Sequence, residues 1–153
     1  MTLSKTLLAM ALALASIAIT TPAFAAKAPI WTGFGSNVAI NGYDPVAYFT
    51  LGRPTQGSPS FKATYQGAEF RFATAANHAA FVANPTRYAP QYGGYCAWAV
   101  SQGYTAGVDP AAWAIVDGKL YLNYNRTIQT RWQADRDNLI TAANRNWPNV
   151  LSH

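Results

Sequence analysis

One side chain in this sequence has a chemistry that no other residue shares. Cys96 is the only cysteine, and it lies in the run Tyr88-Ala89-Pro90-Gln91-Tyr92-Gly93-Gly94-Tyr95-Cys96-Ala97-Trp98-Ala99. Two adjacent glycines followed by a short apolar run read as a tight turn that launches a buried helix. That places Cys96 at the helix start, where backbone N–H groups and the macrodipole favour a thiolate. The alternative reading is a small buried hydrophobe under a turn. A single cysteine also rules out an internal disulfide.

The second candidate is His78. Imidazole and thiolate together suit soft or borderline metals such as Cu(I) and Zn. Two protein ligands serve a linear Cu(I) ion but fall short of a closed zinc site. The other histidine, His153, is the last residue and belongs to a frayed end. The six carboxylates are Asp44, Glu69, Asp109, Asp117, Asp135 and Asp137. Asp44, Asp109 and Asp117 sit at turn or cap signals, and Asp135 and Asp137 stand among arginines on a solvated helix face. No pair announces acid–base work, and no nucleophile elbow or phosphate-binding glycine loop occurs. Nothing in the motifs marks an enzyme, so no catalytic residue is assigned.

The elements that must position these groups can be read around them. Val38-Ala39-Ile40 reads as a short strand ended by Asn41-Gly42. Asp44-Pro45 opens one helical turn, with Asp44 as its cap. Phe61–Tyr65 and Ala68–Phe72 flank Gln66-Gly67 as a hairpin. Thr74 caps a helix to about Asn84 that Pro85 ends. Trp113–Val116 and Lys119–Leu122 form a second hairpin about Asp117-Gly118. A final amphipathic helix spans about Ile128 to Asn144, with Trp132, Leu139 and Ile140 on its inner face. No internal repeat is visible. Hairpins and helices without a βαβ rhythm predict an α+β fold: one small domain whose two hairpins form an antiparallel sheet packed with helices.

Lys5, the apolar run Leu7–Ile19 and Ala23-Phe24-Ala25 make a signal peptide over residues 1–25, with a mature chain starting at Ala26. The apolar run is short for a membrane span, so a periplasmic or secreted protein without stable membrane insertion is expected. Residues 26–37 read as an arm that Ile30, Trp31 and Phe34 dock on the body, 38–148 as the domain, and 149–153 as a tail. The net charge is +5, with charged residues at 11%. The basic residues form no run or stripe, so nucleic acid is not an expected partner.

Asn41-Gly42-Tyr43-Asp44-Pro45-Val46-Ala47-Tyr48-Phe49, Tyr65-Gln66-Gly67 with Phe72, Phe81 with Asn84-Pro85, and Gln91-Tyr92-Gly93-Gly94-Tyr95-Cys96-Ala97 together resemble the YHS-domain family. The resemblance is to its exported bacterial branch, which also carries a motif like Asp117-Gly118-Lys119-Leu120-Tyr121-Leu122-Asn123-Tyr124-Asn125 and a closing Trp-Pro. It spans nearly all of Ala39 to Pro148. Short YHS domains of heavy-metal transporters are linked to metal handling, through cysteines after Asp-Pro-Val and after the second hairpin strand. Here Ala47, and Ala73 with its neighbours, stand at those positions, so a thiolate cluster of that type is absent. The link to metal handling that the resemblance implies, joined to the soft and borderline ligands Cys96 and His78, leads to the expectation of an exported binding module related to metal, copper foremost. Two alternatives stay open: a thiol-redox protein that would need a partner thiol or a small thiol, and a scaffold with an inert cysteine.

Overall fold

Two hairpin turns set the frame of the computed structural model, which describes residues 25–153. The export segment expected over residues 1–25 lies outside the described residues except for Ala25. Gln66 and Gly67 have φ of 48° and 84°, Asp117 and Gly118 of 51° and 72°. Positive φ at both turn residues gives the twist that two antiparallel strands need. The first turn closes β1 (Ser58–Tyr65) on β2 (Ala68–Phe72), the second β3 (Asp109–Val116) on β4 (Lys119–Asn123). The fold is α+β, as expected, with each hairpin a two-stranded sheet of its own.

Helices complete the domain: α1 (Ala47–Thr50), α2 (Ala75–Ala83), α3 (Pro85–Tyr88), α4 (Ala97–Ser101), α5 (Arg126–Ala134) and α6 (Arg136–Asn146). Short 3-10 turns lie at Ala39–Gly42, Gln91–Gly94 and Asn149–Ser152. Taken in order, the chain runs turn–α1–β1–β2–α2–α3 and then turn–α4–β3–β4–α5–α6. The two halves match residue by residue. Ser58 pairs with Phe72 and Lys62 with Arg71 across a bulge; 51 residues later, Asp109 pairs with Asn123 and Trp113 with Leu122 across the same bulge. Thr74 caps α2 by accepting from Asn77 N, and Asn125 caps α5 by accepting from Ile128 N. Ser58 Oγ accepts from Ser60 N, and Asp109 Oδ1 from Ala111 N. An internal repeat is therefore present, contrary to the sequence reading. It is written in caps, turns and bulges, while the side chains at matching positions have diverged.

The structure departs from expectation in three places, and the repeat explains the first two. Val38 to Ile40 is no strand: Val38 makes a single parallel bridge to Glu69, and Ile40 and Asn41 turn left-handed at φ 52° each. That conformation is costly for a β-branched residue, but Tyr92 and Gly93 repeat it at φ 55° and 60° in the second half. In both turns a tyrosine N–H closes the ring, Tyr43 N to Ile40 O and Tyr95 N to Tyr92 O, each at 3.0 Å. The single helix expected over Ile128–Asn144 is two, broken at Asp135, where Asn84 breaks α2 from α3 in the first half. The arm is firmly held: Ile30 is buried and Trp31 N donates to Gly93 O at 2.9 Å, while Phe34 is fully exposed and docks nowhere. A Cβ on Gly93 would stand 1.8 Å from Pro29 O, so only glycine admits the arm there.

β4 divides the interior. Leu120 and Leu122 join Phe70, Phe72 and Phe81 in one core; Tyr121 joins Trp132, Tyr92 and Val100 in the other. The residue closing β4, Asn123, is also fully buried. The expected inner face holds, with Trp132 fully buried and Leu139 and Ile140 packed beside it. Among the described residues, no helix is long and apolar enough to cross a membrane.

Candidate functional site

Cys96 stands where the sequence places it. Gly94, with φ 84°, ends the 3-10 turn, and Cys96 is the N-cap of α4. The chain pairs Cys96 N with Ala106 O at 3.0 Å and leaves the side chain facing inward, 1% exposed. The thiol lies against the backbone N–H groups of Ala99, Tyr124 and Trp98. Its S–H points to Asn123 Oδ1 at 3.8 Å. Burial nonetheless pushes the thiol up from its ordinary range, and the N–H groups only partly offset this. The lowered thiol expected from the helix start is thus corrected. Removal of sulfur from water outweighs the donors of a helix only one turn long, because burial in low dielectric disfavours the charged form.

Beside Cys96 lies a half-open cavity of about 190 Å³. Its walls are Cys96, Trp98, Ala99, Ala106 and Ile128, with Tyr104 and Tyr124 at the rim, 48% and 57% exposed. Its lining is almost wholly apolar. Tyr104 follows a Gln-Gly turn and carries no motif that would mark it in the sequence. The other tyrosines do structural work. Tyr48 OH donates to Pro110 O at 2.9 Å, Tyr95 OH to Ala28 O at 2.9 Å, and Tyr92 OH to Asn144 Oδ1 at 2.9 Å.

His78 is not part of this cavity. It is half-buried on α2, with its ring edge-on to Phe72 at 5.4 Å between centroids. Among the described residues, no group of three His, Cys, Asp or Glu side chains is placed to hold a metal ion.

The residue that sequence reasoning undervalued is Asp44. It caps α1 as expected, Oδ1 accepting from Val46 N at 2.8 Å and Ala47 N at 3.2 Å. Its Oδ2 also accepts from Ala73 N at 2.8 Å and Asn77 Nδ2 at 2.7 Å, tying the α1 turn to the start of α2. The side chain is fully buried. In the repeat, Asp44 of the first half matches Cys96 of the second.

No family model matches this chain, and no curated protein and no solved structure gives a significant match.

Proposed function

We propose that this chain is an exported, YHS-like binding module whose site is the cavity over Cys96. The observation that supports it is the place of Cys96, the one cysteine, among the residues lining an apolar, half-open cavity rimmed by two exposed tyrosines. A cavity of about 190 Å³ suits a group of a few heavy atoms, well below the space a drug-sized ligand fills. A protonated thiol in such a wall is a soft, polarizable contact. Copper(I) is the leading cargo. Cys96 supplies one soft ligand, and the second must come from outside, from a small thiol or a partner side chain entering at the mouth. Export to the periplasm or medium rests on the Lys5, Leu7–Ile19 and Ala23-Phe24-Ala25 pattern, and N-terminal sequencing of exported protein should begin at Ala26.

The test is a Cu(I) titration of reduced protein under a competing chelator, with one equivalent of a small thiol present. Cys96→Ser should abolish binding and His78→Ala should leave it unchanged. Retained affinity in Cys96→Ser would remove the metal reading at this position. Labelling of the native thiol then decides what remains. Reaction with a small alkylating reagent, blocked by a bulky one, supports a small-ligand site. Absence of reaction with either until the protein is denatured supports the inert scaffold.

A further inference from the structure

The repeat builds one further cavity twice. In the first half, Tyr65, Gln66, Thr86 and Ala89 line a cavity of about 160 Å³ between the β1–β2 turn and the end of α3. At the matching positions of the second half, Val116, Asp117, Asp137 and Ile140 line a half-open cavity of about 210 Å³ between the β3–β4 turn and α6. Ile30 of the arm is a wall of the first cavity, held in place by Trp31 N on Gly93 O. No arm residue lines the second. The second also carries charge that the first lacks. Asp117 stands where the first half has Gln66, Asp137 where it has Thr86, and Lys119 where it has Ala68.

The floor of the second cavity points to a ligand. Tyr121 stands where the first half has Phe70, so a hydroxyl has been added to the same ring position. Tyr121 is 3% exposed and packs on Tyr92 and Trp132, with ring centroids 5.9 and 5.4 Å away. Its hydroxyl makes no hydrogen bond among the described residues and opens on the cavity on the side of Asp117. A tyrosine buried to this degree normally finds a partner for its O–H. On the α6 side, Tyr92 OH donates to Asn144 Oδ1 at 2.9 Å, which turns Asn144 Nδ2 away as a free donor. Asp117 and Lys119 take part in none of the ion pairs among the described residues, while Asp137 Oδ1 is shared with Arg136 Nε at 3.0 Å.

We propose that this cavity binds a small aliphatic α-amino acid as its zwitterion. Charges of both signs surround one small space without pairing with each other. A simple cation would meet Lys119 there, and a simple anion would meet two carboxylates. A molecule with both charges satisfies both sides. Its ammonium group goes to Asp117 and Asp137. Its carboxylate accepts from Lys119, Asn144 Nδ2 and the Tyr121 hydroxyl. Its side chain lies on Val116 and Ile140. In the first half the aliphatic group at this place is the chain's own Ile30; in the second it comes from the ligand. A volume of about 210 Å³ admits a single amino acid and is too small for a drug-sized molecule.

The test is a titration of isotope-labelled protein with L-valine, followed by NMR. Saturable shifts are expected in the β3–β4 turn and along the facing side of α6. Isobutylamine and isovalerate each keep the side chain and one of the two charges. Each should bind at least about tenfold more weakly than valine. No saturable shift with valine, as from a cavity that holds water only, overturns the proposal. So does an analogue that binds as tightly as valine, or a response centred on Gln66 and Thr86. Tyr121→Phe introduces the residue that the first half already carries at this position, so the fold accepts it. It should weaken valine binding about tenfold, and Asp117→Asn should do the same. Unchanged affinity in either variant also overturns the site. Cys96→Ala removes the residue on which the copper reading depends and should leave valine binding unchanged, so the two readings stand or fall separately. A loss of valine binding in Cys96→Ala would overturn the placing of the amino acid in this cavity.

Discussion

The first and second halves of this chain use one backbone plan for two purposes. In the first, β2 alternates: Ala68, Phe70 and Phe72 are buried and Glu69 and Arg71 face outward. In the second, β4 buries Leu120, Tyr121, Leu122 and Asn123 in succession, because it runs between the two cores. A strand covered on both faces loses its polar alternation. The half with the second layer is also the half that has a thiol where the other has a saturated carboxylate, with a cavity next to it. Asp44 closes a structural joint with every donor matched, whereas Cys96 leaves Asn123 Nδ2 unmatched. The lesson is that one backbone joint can be closed by a fully bonded carboxylate or built around a buried thiol while its turns and caps stay the same.

The largest expected effects test whether the two halves are equivalent in stability. Phe81 on α2 and Trp132 on α5 occupy matching, fully buried positions. Phe81 packs on Phe70 and Phe72 with ring centroids 4.9 and 5.0 Å away, Trp132 on Tyr121 at 5.4 Å. Truncation of either to alanine should cost about 3–5 kcal/mol by denaturant unfolding. A loss under about 1 kcal/mol at Trp132 alone would make the second core peripheral. Next in size is Asp44→Asn. It replaces a carboxylate oxygen by an amide among four donors, which should cost about 3 kcal/mol. A near-neutral result would break the comparison at its centre, since the Asp44 joint would then not depend on charge.

Much of this plan was legible because it is written in residues with strong local preferences. The Gln66-Gly67 and Asp117-Gly118 turns, the Thr74 cap, the Pro85 break and the helix start after Gly94 were all read from sequence and all occur. What escaped notice was set by tertiary context. Ile40 is left-handed against its own preference, held by the Tyr43 N–H to its carbonyl and by burial. The break at Asp135 carries neither Pro nor Gly, and only its match to Asn84 makes sense of it. The repeat itself was hidden because what persists is the hydrogen bonding of the backbone. Phe72 against Asn123, Asn77 against Ile128 and Asp44 against Cys96 share no side-chain chemistry. The cysteine was found as a lone thiol, but its positional match to the Asp44 carboxylate needs the fold. The placing of His78 on Phe72, outside the cavity, likewise follows from how α2 lies on β2.

The smallest expected effect separates the halves by pH. Cys96, Tyr92, Tyr95 and Tyr121 all belong to the second half, and burial pushes each of them up from its ordinary value. In the first half, burial raises Tyr48 strongly. A group whose folded value lies above its unfolded value holds its proton longer in the folded state. Its contribution is complete below the unfolded value and is lost as pH rises toward the folded one. The unfolded thiol loses its proton first, near pH 8.5, and the tyrosines follow near pH 10. Stability should therefore be level around neutrality, begin to fall at about pH 8.5, and fall more steeply above about pH 10. Urea midpoints measured across this range on wild type and Cys96→Ala check the order. The variant should lose the early part of the decline and keep the later one. A decline that begins only in the tyrosine range in both proteins would mean that the folded thiol ionises as readily as the unfolded one. The Trp98, Ala99 and Tyr124 N–H groups would then match the burial in full, and Cys96 would titrate as a free thiol does.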